Sequence, residues 1–129
     1  MEITIAARNA AGTALTDLLN SGSIQIRKVS RPGVDSAANG TLLATLPLAA
    51  SDCGTWSAGS ATAGAITQDA SADATGTAGY FRALNTGSGA VIDGTVTATG
   101  GGGDLELNSV SIVTAASVDI TSWVINHPA

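Results

Sequence analysis

From Gly22 onward the apolar residues recur at every second position. Ile24 and Ile26 alternate with Ser23, Gln25 and Arg27; Leu42, Ala44, Leu46 and Leu48 share one parity; so do Ile92, Gly94, Val96 and Ala98, and later Leu105 and Leu107. A side-chain period of two belongs to extended strands with one wet face. The runs are short, cut by Arg31-Pro32-Gly33, by Ser51 to Gly54, by Asn85 to Gly89 and by Gly100 to Gly103. Gly supplies turn conformations closed to other residues, and Asn, Asp and Ser bond their own backbone there. Pro47 has no N–H for a ladder, so the Leu42 run lies at a sheet edge or ends there. The clearest pairing joins Thr77 to Leu84 with Ala90 to Thr99 through a five-residue turn containing glycine. Thr55 to Thr67 reads as a strand followed by a loop, or as one strand broken by a bulge. Val118 to Asn126 is the last strand and carries large apolar groups on both faces, as expected for a strand covered on both sides.

Before Gly22 the period is that of a helix. In Ala6 to Asn20 an apolar stripe of Ala7, Ala11, Ala14, Leu15, Leu18 and Leu19 repeats at spacings of three and four, and Asn20-Ser21-Gly22 ends it. Gly12 weakens the middle by about 1 kcal/mol relative to Ala, leaving Thr13 to Leu19 as the firmest part, with Thr13 as a cap. Such a helix is expected to pack its stripe on a sheet. Ahead of it, Met1 to Arg8 forms an arm in which Ile3 and Ile5 alternate like a strand available for pairing with a partner. The 129 residues fit a single domain: an arm over 1–8, a helix region over 6–20 and a β-sandwich over 23–126. The expected class is mainly β, a β-sandwich or jelly roll of about seven to eight short strands with one short N-terminal helix.

Ala, Gly, Thr and Ser make up more than half of the chain and only four residues are aromatic, so Leu, Ile and Val must supply most of the core volume. A chain of this length buries roughly two-thirds of its unfolded surface and needs neither disulfide nor metal to fold. The formal net charge of −5 is unlike that of a nucleic-acid binder, and Arg27, Lys28 and Arg31 are too few for a phosphate footprint. They suit a solvated edge or a subunit contact. No window approaches the roughly 18 apolar residues of a membrane span. The first twenty residues carry Glu2 and no basic run before an apolar stretch, unlike an export signal, so cytosolic assembly is expected.

Groups for chemistry are sparse. His127 is the sole histidine, and Gly87-Ser88-Gly89 lacks the spacing of a nucleophile elbow. Cys53 is the sole cysteine and is expected to be inert, and one Cys with one His exclude a structural zinc site. Asp69 with Asp73, and Asp104 with Glu106, could offer oxygens to calcium but do not follow the pattern of a calcium loop. Gly100 to Gly103 is not followed by Lys-Ser or Lys-Thr, so it is a loop tip and not a phosphate cradle. No cofactor and no catalytic residue is expected. Trp56, Tyr80, Phe81 and Trp123 could stack on sugars, the basis of a rival reading as a carbohydrate-binding module. They could equally anchor a core or an interface. Ile3, Ile5, Trp56, Trp123 and Ile125 are the candidate interface residues.

The order of segments resembles a family of short structural proteins of tailed bacteriophages. The stretches that carry the resemblance are Arg8-Asn9-Ala10 through Leu15-Thr16-Asp17-Leu18-Leu19, Gly22 to Arg27, Gly40 to Ala44, Ala70 to Arg82, Val91 to Val96, Asp104 to Ser109 and the terminal strand. The resemblance implies a virion protein on the capsid surface, a capsid decoration (cement) protein that binds the major capsid protein on the outside of the head as a homo-oligomer, a trimer. A tail or head–tail connector position, or a carbohydrate-binding tail module, remains open at this point.

Overall fold

The computed structural model describes residues 2–50 and 52–126. The elements are α1 (Ile5–Asp17), β1 (Ser23–Arg27), β2 (Leu42–Pro47), β3 (Trp56–Ser57), β4 (Ser60–Thr62), β5 (Gly76–Thr77), β6 (Tyr80–Leu84), β7 (Ala90–Ala98), β8 (Leu105–Leu107), β9 (Ser111–Ile112) and β10 (Ile120–Asn126). The fold is mainly β with a single N-terminal helix, as its alternation predicts. Of the ten strands among the described residues, β3, β5 and β9 are only two residues long.

Eight strands form one sheet in the order β2-β1-β6-β7-β8-β10-β4-β3, and β5 pairs with β9 beside it. The expected hairpin is β6–β7, with Phe81 opposite Gly94 and Arg82 opposite Asp93. Pro47 does sit in an edge strand, β2. The sheet curls so that β6 and β10 face each other across the core: the Phe81 and Trp123 rings meet edge to face, centroids 5.6 Å apart at 78°, a geometry worth about 0.5–1.5 kcal/mol beyond its burial. Around this pair pack Ile24, Ile26, Leu43, Leu46, Leu105, Leu107 and Val118, all fully enclosed.

Both edges of the curled sheet are blunted. Along β2, the Thr45 N–H donates to Asp69 Oδ2 (3.0 Å) and the Asp73 N–H to the Leu43 carbonyl (2.8 Å). Asp69 also bridges to Val118, just before β10, so this segment ties the β2 edge to the chain entering β10. The far edge strand, β3, is only two residues long and packs against α1. An edge whose backbone groups are taken, or one this short, is a poor template for pairing with another chain.

β7 and β8 run parallel although only residues 99–104 join them, whereas parallel neighbours ordinarily need a crossover of a dozen or more residues. The glycine run makes the short return possible. Gly100 (φ 85°) and Gly102 (φ 82°) take left-handed conformations. The Glu106 carboxylate accepts their N–H groups at 3.3 and 3.0 Å, and Thr97 Oγ1 accepts that of Gly103 at 3.0 Å.

Four sequence expectations change. Thr4 caps the helix, its hydroxyl accepting the Ala7 N–H, and α1 begins at Ile5. Ile5 is therefore helical, Ile3 lies ahead of the cap, and no strand forms over residues 2–8, so the arm is shorter than 1–8 and offers no strand for augmentation. The helix itself stops at Asp17 and not at residue 20; Ser21 (φ 61°) and Gly22 turn the chain into β1. A Cβ on Gly22 would lie 2.0 Å from the Leu84 carbonyl oxygen, so the turn admits only glycine. Residues 56–62 form neither a single bulged strand nor a strand and loop but a tight hairpin turning at Ala58 (φ 52°) and Gly59 (φ 82°), two positive φ values in the style of a type I′ turn. Finally, the last strand proper starts at Ile120, Val118 making only the isolated bridge.

Candidate functional site

The helix is turned about its axis relative to the expectation from its pattern. Gly12, Thr16 and Leu19 are buried; Ala7, Ala11, Ala14 and Leu18, four of the six residues in the apolar stripe, face outward. The reason is Trp56. Its ring lies flat enough on α1 that a Cβ on Gly12 would come within 2.3 Å of it, and its Nε1–H donates to Thr16 Oγ1 at 3.1 Å. That hydroxyl is in turn satisfied by the Gly12 carbonyl at 3.1 Å. Burying a whole indole with its N–H paired outweighs burying three alanine methyls, since hydrophobic gain scales with apolar area. Asn9 adds a second tie, its Oδ1 accepting the Gly59 N–H at 2.9 Å.

What the packing leaves outside is apolar. Ala6, Ala7, Ala10, Ala11 and Ala14 are exposed along α1, with Leu18 56% exposed at one end and Ile5 and Ile3 54% and 40% exposed at the other. Three of the six exposed large hydrophobic side chains of the described protein thus belong to this one segment. Arg8 stands on its border with its guanidinium against Gly59; its Nε is buried and has no acceptor among the described residues.

Of the candidate interface residues, Ile3 and Ile5 are on this surface. Trp56, Trp123 and Ile125 are not surface contacts: they are 7%, 1% and 5% exposed and belong to the core. Their bulk is needed inside because the chain has so few other large side chains. Leu18 and the alanines were visible in the sequence as part of an amphipathic stripe, but they face solvent, and of that stripe only Leu19 is fully buried.

The best-built polar cluster lies on the outer face of β6. Arg82 and Asp93 are enclosed, with side chains 5% and 1% exposed, and are joined by two bonds, Nε to Oδ1 at 2.7 Å and Nη2 to Oδ2 at 2.9 Å. Arg82 also donates to the carbonyls of Ser36 and Gly33, each at 2.9 Å. Tyr80 grips the same loop, its hydroxyl donating to the Asn39 carbonyl (3.0 Å) and accepting the Asn39 N–H (3.2 Å). The hydrogen bond to Asp93 holds the guanidinium above its usual range against the opposing effect of burial. With these donors engaged, the cluster is a clasp for loop 33–40. Its sequence signal was the cross-strand position of Arg82 and Asp93 in the hairpin.

The remaining candidates are structural. Burial, and secondarily the charge of Asp52, raises the Cys53 thiol from 9.0 to about 11, so it keeps its proton at neutral pH and is a poor nucleophile. Asp104 accepts from the Thr95 N–H and hydroxyl, Glu106 from the glycine loop, and Asp69 from Thr45 and Ser71. Among the described residues no cluster of three His, Cys, Asp or Glu side chains is arranged to hold a metal ion, and no helix is long and apolar enough to cross a membrane. His127 lies outside the described residues.

Beside the Trp56 corner is a cleft of about 270 Å³ between the last turns of α1 and the chain at Cys53 to Trp56. A smaller one of about 160 Å³ lies between β7 and β10 where the short β8 gives out. No protein-family model, no curated protein and no solved structure matches the chain.

Proposed function

We propose that this chain is a structural component of a tailed-phage virion, a capsid decoration protein that docks as trimers on the outer surface of the head and bridges major capsid subunits. The observation that carries the reading is the outward apolar face of α1. A helix that buries glycine and threonine while presenting five alanines and Ile5 to solvent, flanked by exposed Ile3 and Leu18, has its contact surface ready for another protein. Small side chains let a partner's backbone approach closely. Arg8 at the border offers a guanidinium to an acidic group across the contact. The blunted sheet edges support the same reading, since a protein displayed in many copies is served by edges that do not pair indiscriminately. Resemblance to short tailed-phage structural proteins names the partner.

The work done is physical. At roughly 25 cal/mol per Å² of apolar surface, one modest contact is weak once association entropy is subtracted, but the same contact repeated over a shell resists its internal pressure. The acidic balance keeps free copies soluble before docking. The test is co-sedimentation of the purified protein with expanded heads and with immature shells, alongside heat and low-salt challenge of heads with and without it. Saturable binding, weakened by Leu18→Gln and Ile5→Gln, with heads that rupture sooner when unbound, is the expected result. Heads that neither bind the protein nor gain resistance from it would overturn the proposal.

A further inference from the structure

The large sheet is uneven in its middle. β8 has three residues, yet it lies between β7 with nine and β10 with seven, and it pairs only with residues 96–98 on one side and 120–123 on the other. The first half of β7 and the end of β10 therefore flank the line that β8 does not continue, and the 160 Å³ cleft lies there, with Ile92 and Asp93 on one wall and Val124 to Asn126 on the other. Alternation along each strand fixes which backbone groups open into it. The Thr95 N–H turns away from β6, toward Asp104 Oδ2 at 3.1 Å. Asp93, two residues earlier, thus turns its N–H and C=O the same way, while Ile92 and Gly94 bond across to Ala83 and Phe81. On the other wall the Trp123 carbonyl turns toward β4 and accepts the Ala63 N–H at 2.9 Å, and the Val124 N–H meets the Asp104 carbonyl at 3.1 Å. The Val124 C=O and the N–H and C=O of Asn126 then face the cleft.

Two strands thus hold unsatisfied ladder groups toward each other. Phe81, Trp123 and Ile125 are enclosed, so they form the floor of the slot and not a stacking face. Its volume is below the roughly 300–1,000 Å³ of small-molecule sites, and its walls are backbone donors and acceptors, which an extended peptide satisfies and a compact ligand does not. Charge selects further. The lining holds no basic side chain. The Asp93 carboxylate is engaged by Arg82, but Asp104 is exposed and its Oδ1 accepts no hydrogen bond from the described residues. We infer that this slot takes an extended segment of a partner protein by strand addition. The segment runs as β8 does, parallel to β7 and antiparallel to β10, with a small or β-branched side chain over the floor and a Lys or Arg against Asp104. The site makes no use of the outward face of α1, so it does not rest on capsid docking.

The test is NMR of the whole protein, free and titrated with a capped Lys-Thr-Val-Thr-Lys peptide at about 0.15 M salt, where distant charges are screened. In the free protein the Asp93 amide should exchange with solvent roughly tenfold or more faster than those of Ile92 and Gly94, although all three lie in one strand. Expected on titration is a saturable shift of the Asp93, Val124 and Asn126 amides, with Kd on the order of 1 mM, slowed exchange at Asp93 and unmoved α1 amides. Methylating the backbone nitrogens of the peptide removes its donors and should weaken binding about tenfold, a loss of one ladder bond's worth or more. A Glu-Thr-Val-Thr-Glu peptide should bind several-fold more weakly than the Lys peptide, and Asp104→Asn, which keeps an acceptor for Thr95, should remove that preference. An Asp93 amide as protected as Ile92 in the free protein, or no saturable shift up to about 20 mM, far beyond that Kd, would overturn the assignment. So would equal binding of the methylated peptide, shifts centred on α1, or a charge preference that survives Asp104→Asn.

Discussion

The β6–β7 hairpin and the corner where α1 meets β3 solve the same problem, enclosing one large group, by opposite means. In the hairpin, local pattern and tertiary packing agree: Phe81 and Ala83 point inward, Tyr80 and Arg82 outward, and even the outward groups are enclosed because loop 33–40 folds over them. At the corner they disagree. Trp56 needs a flat bed, and the helix meets it with glycine and threonine, leaving its alanines in solvent. Where a strand partner sits next in sequence, local pattern decides the facing. Where the partner is forty residues away, the largest single burial decides.

The sharpest way to break the hairpin side is at its enclosed ion pair. Asp93→Ala leaves the Arg82 guanidinium buried without its carboxylate, and removing one partner of a buried pair costs about 3–5 kcal/mol. Denaturant unfolding should show that loss, with loop 33–40 exposed to proteolysis. The double replacement Arg82→Met with Asp93→Leu forfeits two bonds to loop carbonyls but leaves no orphan charge. It should unfold later than Asp93→Ala alone. If the single variant matches the wild type, the clasp is not what holds the loop.

On the corner side, Cys53 gives a pH signature. Its thiol titrates near 11 folded against about 9 unfolded, so above pH 9 the unfolded chain loses the proton first. The contribution of this group to stability is thus level below about pH 8 and falls as pH rises from about 9 to 11, by at most about 3 kcal/mol. Cys53→Ala should flatten that slope, and a thiol reagent at pH 8 should label the wild type only as fast as the corner opens.

Gly12→Ala is smaller but more discriminating, because two effects oppose. In an exposed helix it would gain about 1 kcal/mol of propensity. Here the new methyl meets a ring that cannot swing away, and overpacking costs about 1–3 kcal/mol. Net destabilisation, together with a shifted Trp56 fluorescence, is expected; a stabilised variant would mean that the indole is not seated on Gly12.

These contrasts explain how much was legible in the sequence. The strand class, the edge position of Pro47, the hairpin and the glycine loop tip follow from alternation and turn chemistry, which act over a few residues. The existence of α1 followed from its period, but its facing did not. A stripe says which residues resemble each other, not that the sheet has a better use for Gly12. For the same reason Trp56 and Trp123 were legible as anchors of a core or of an interface, with no choice between the two: size marks a residue for burial, and only the fold says in which protein. The cleft was invisible, since Thr13, Asp17 and Asn20 are ordinary surface residues whose approach to Thr55 and Trp56 is set by the fold and not by their own stretch of sequence. The turn at Ala58-Gly59 was missed because alanine seldom takes a positive φ.

The smallest expected effect on stability is also the one that bears most on function. Leu18 is 56% exposed and contributes little to the core, so Leu18→Gln should change unfolding free energy by no more than about 0.5 kcal/mol. Gln keeps the helix propensity and adds no charge to the helix end, so loss of docking could not be blamed on a frayed α1. If the outward stripe is the contact surface, the variant should be as stable as the wild type yet bind shells several-fold more weakly, with the deficit adding to that of Ile5→Gln at the other end of the helix. If instead Leu18→Gln unfolds early, the stripe has a packing role that its exposure conceals, and the contrast between corner and hairpin would have to be drawn again.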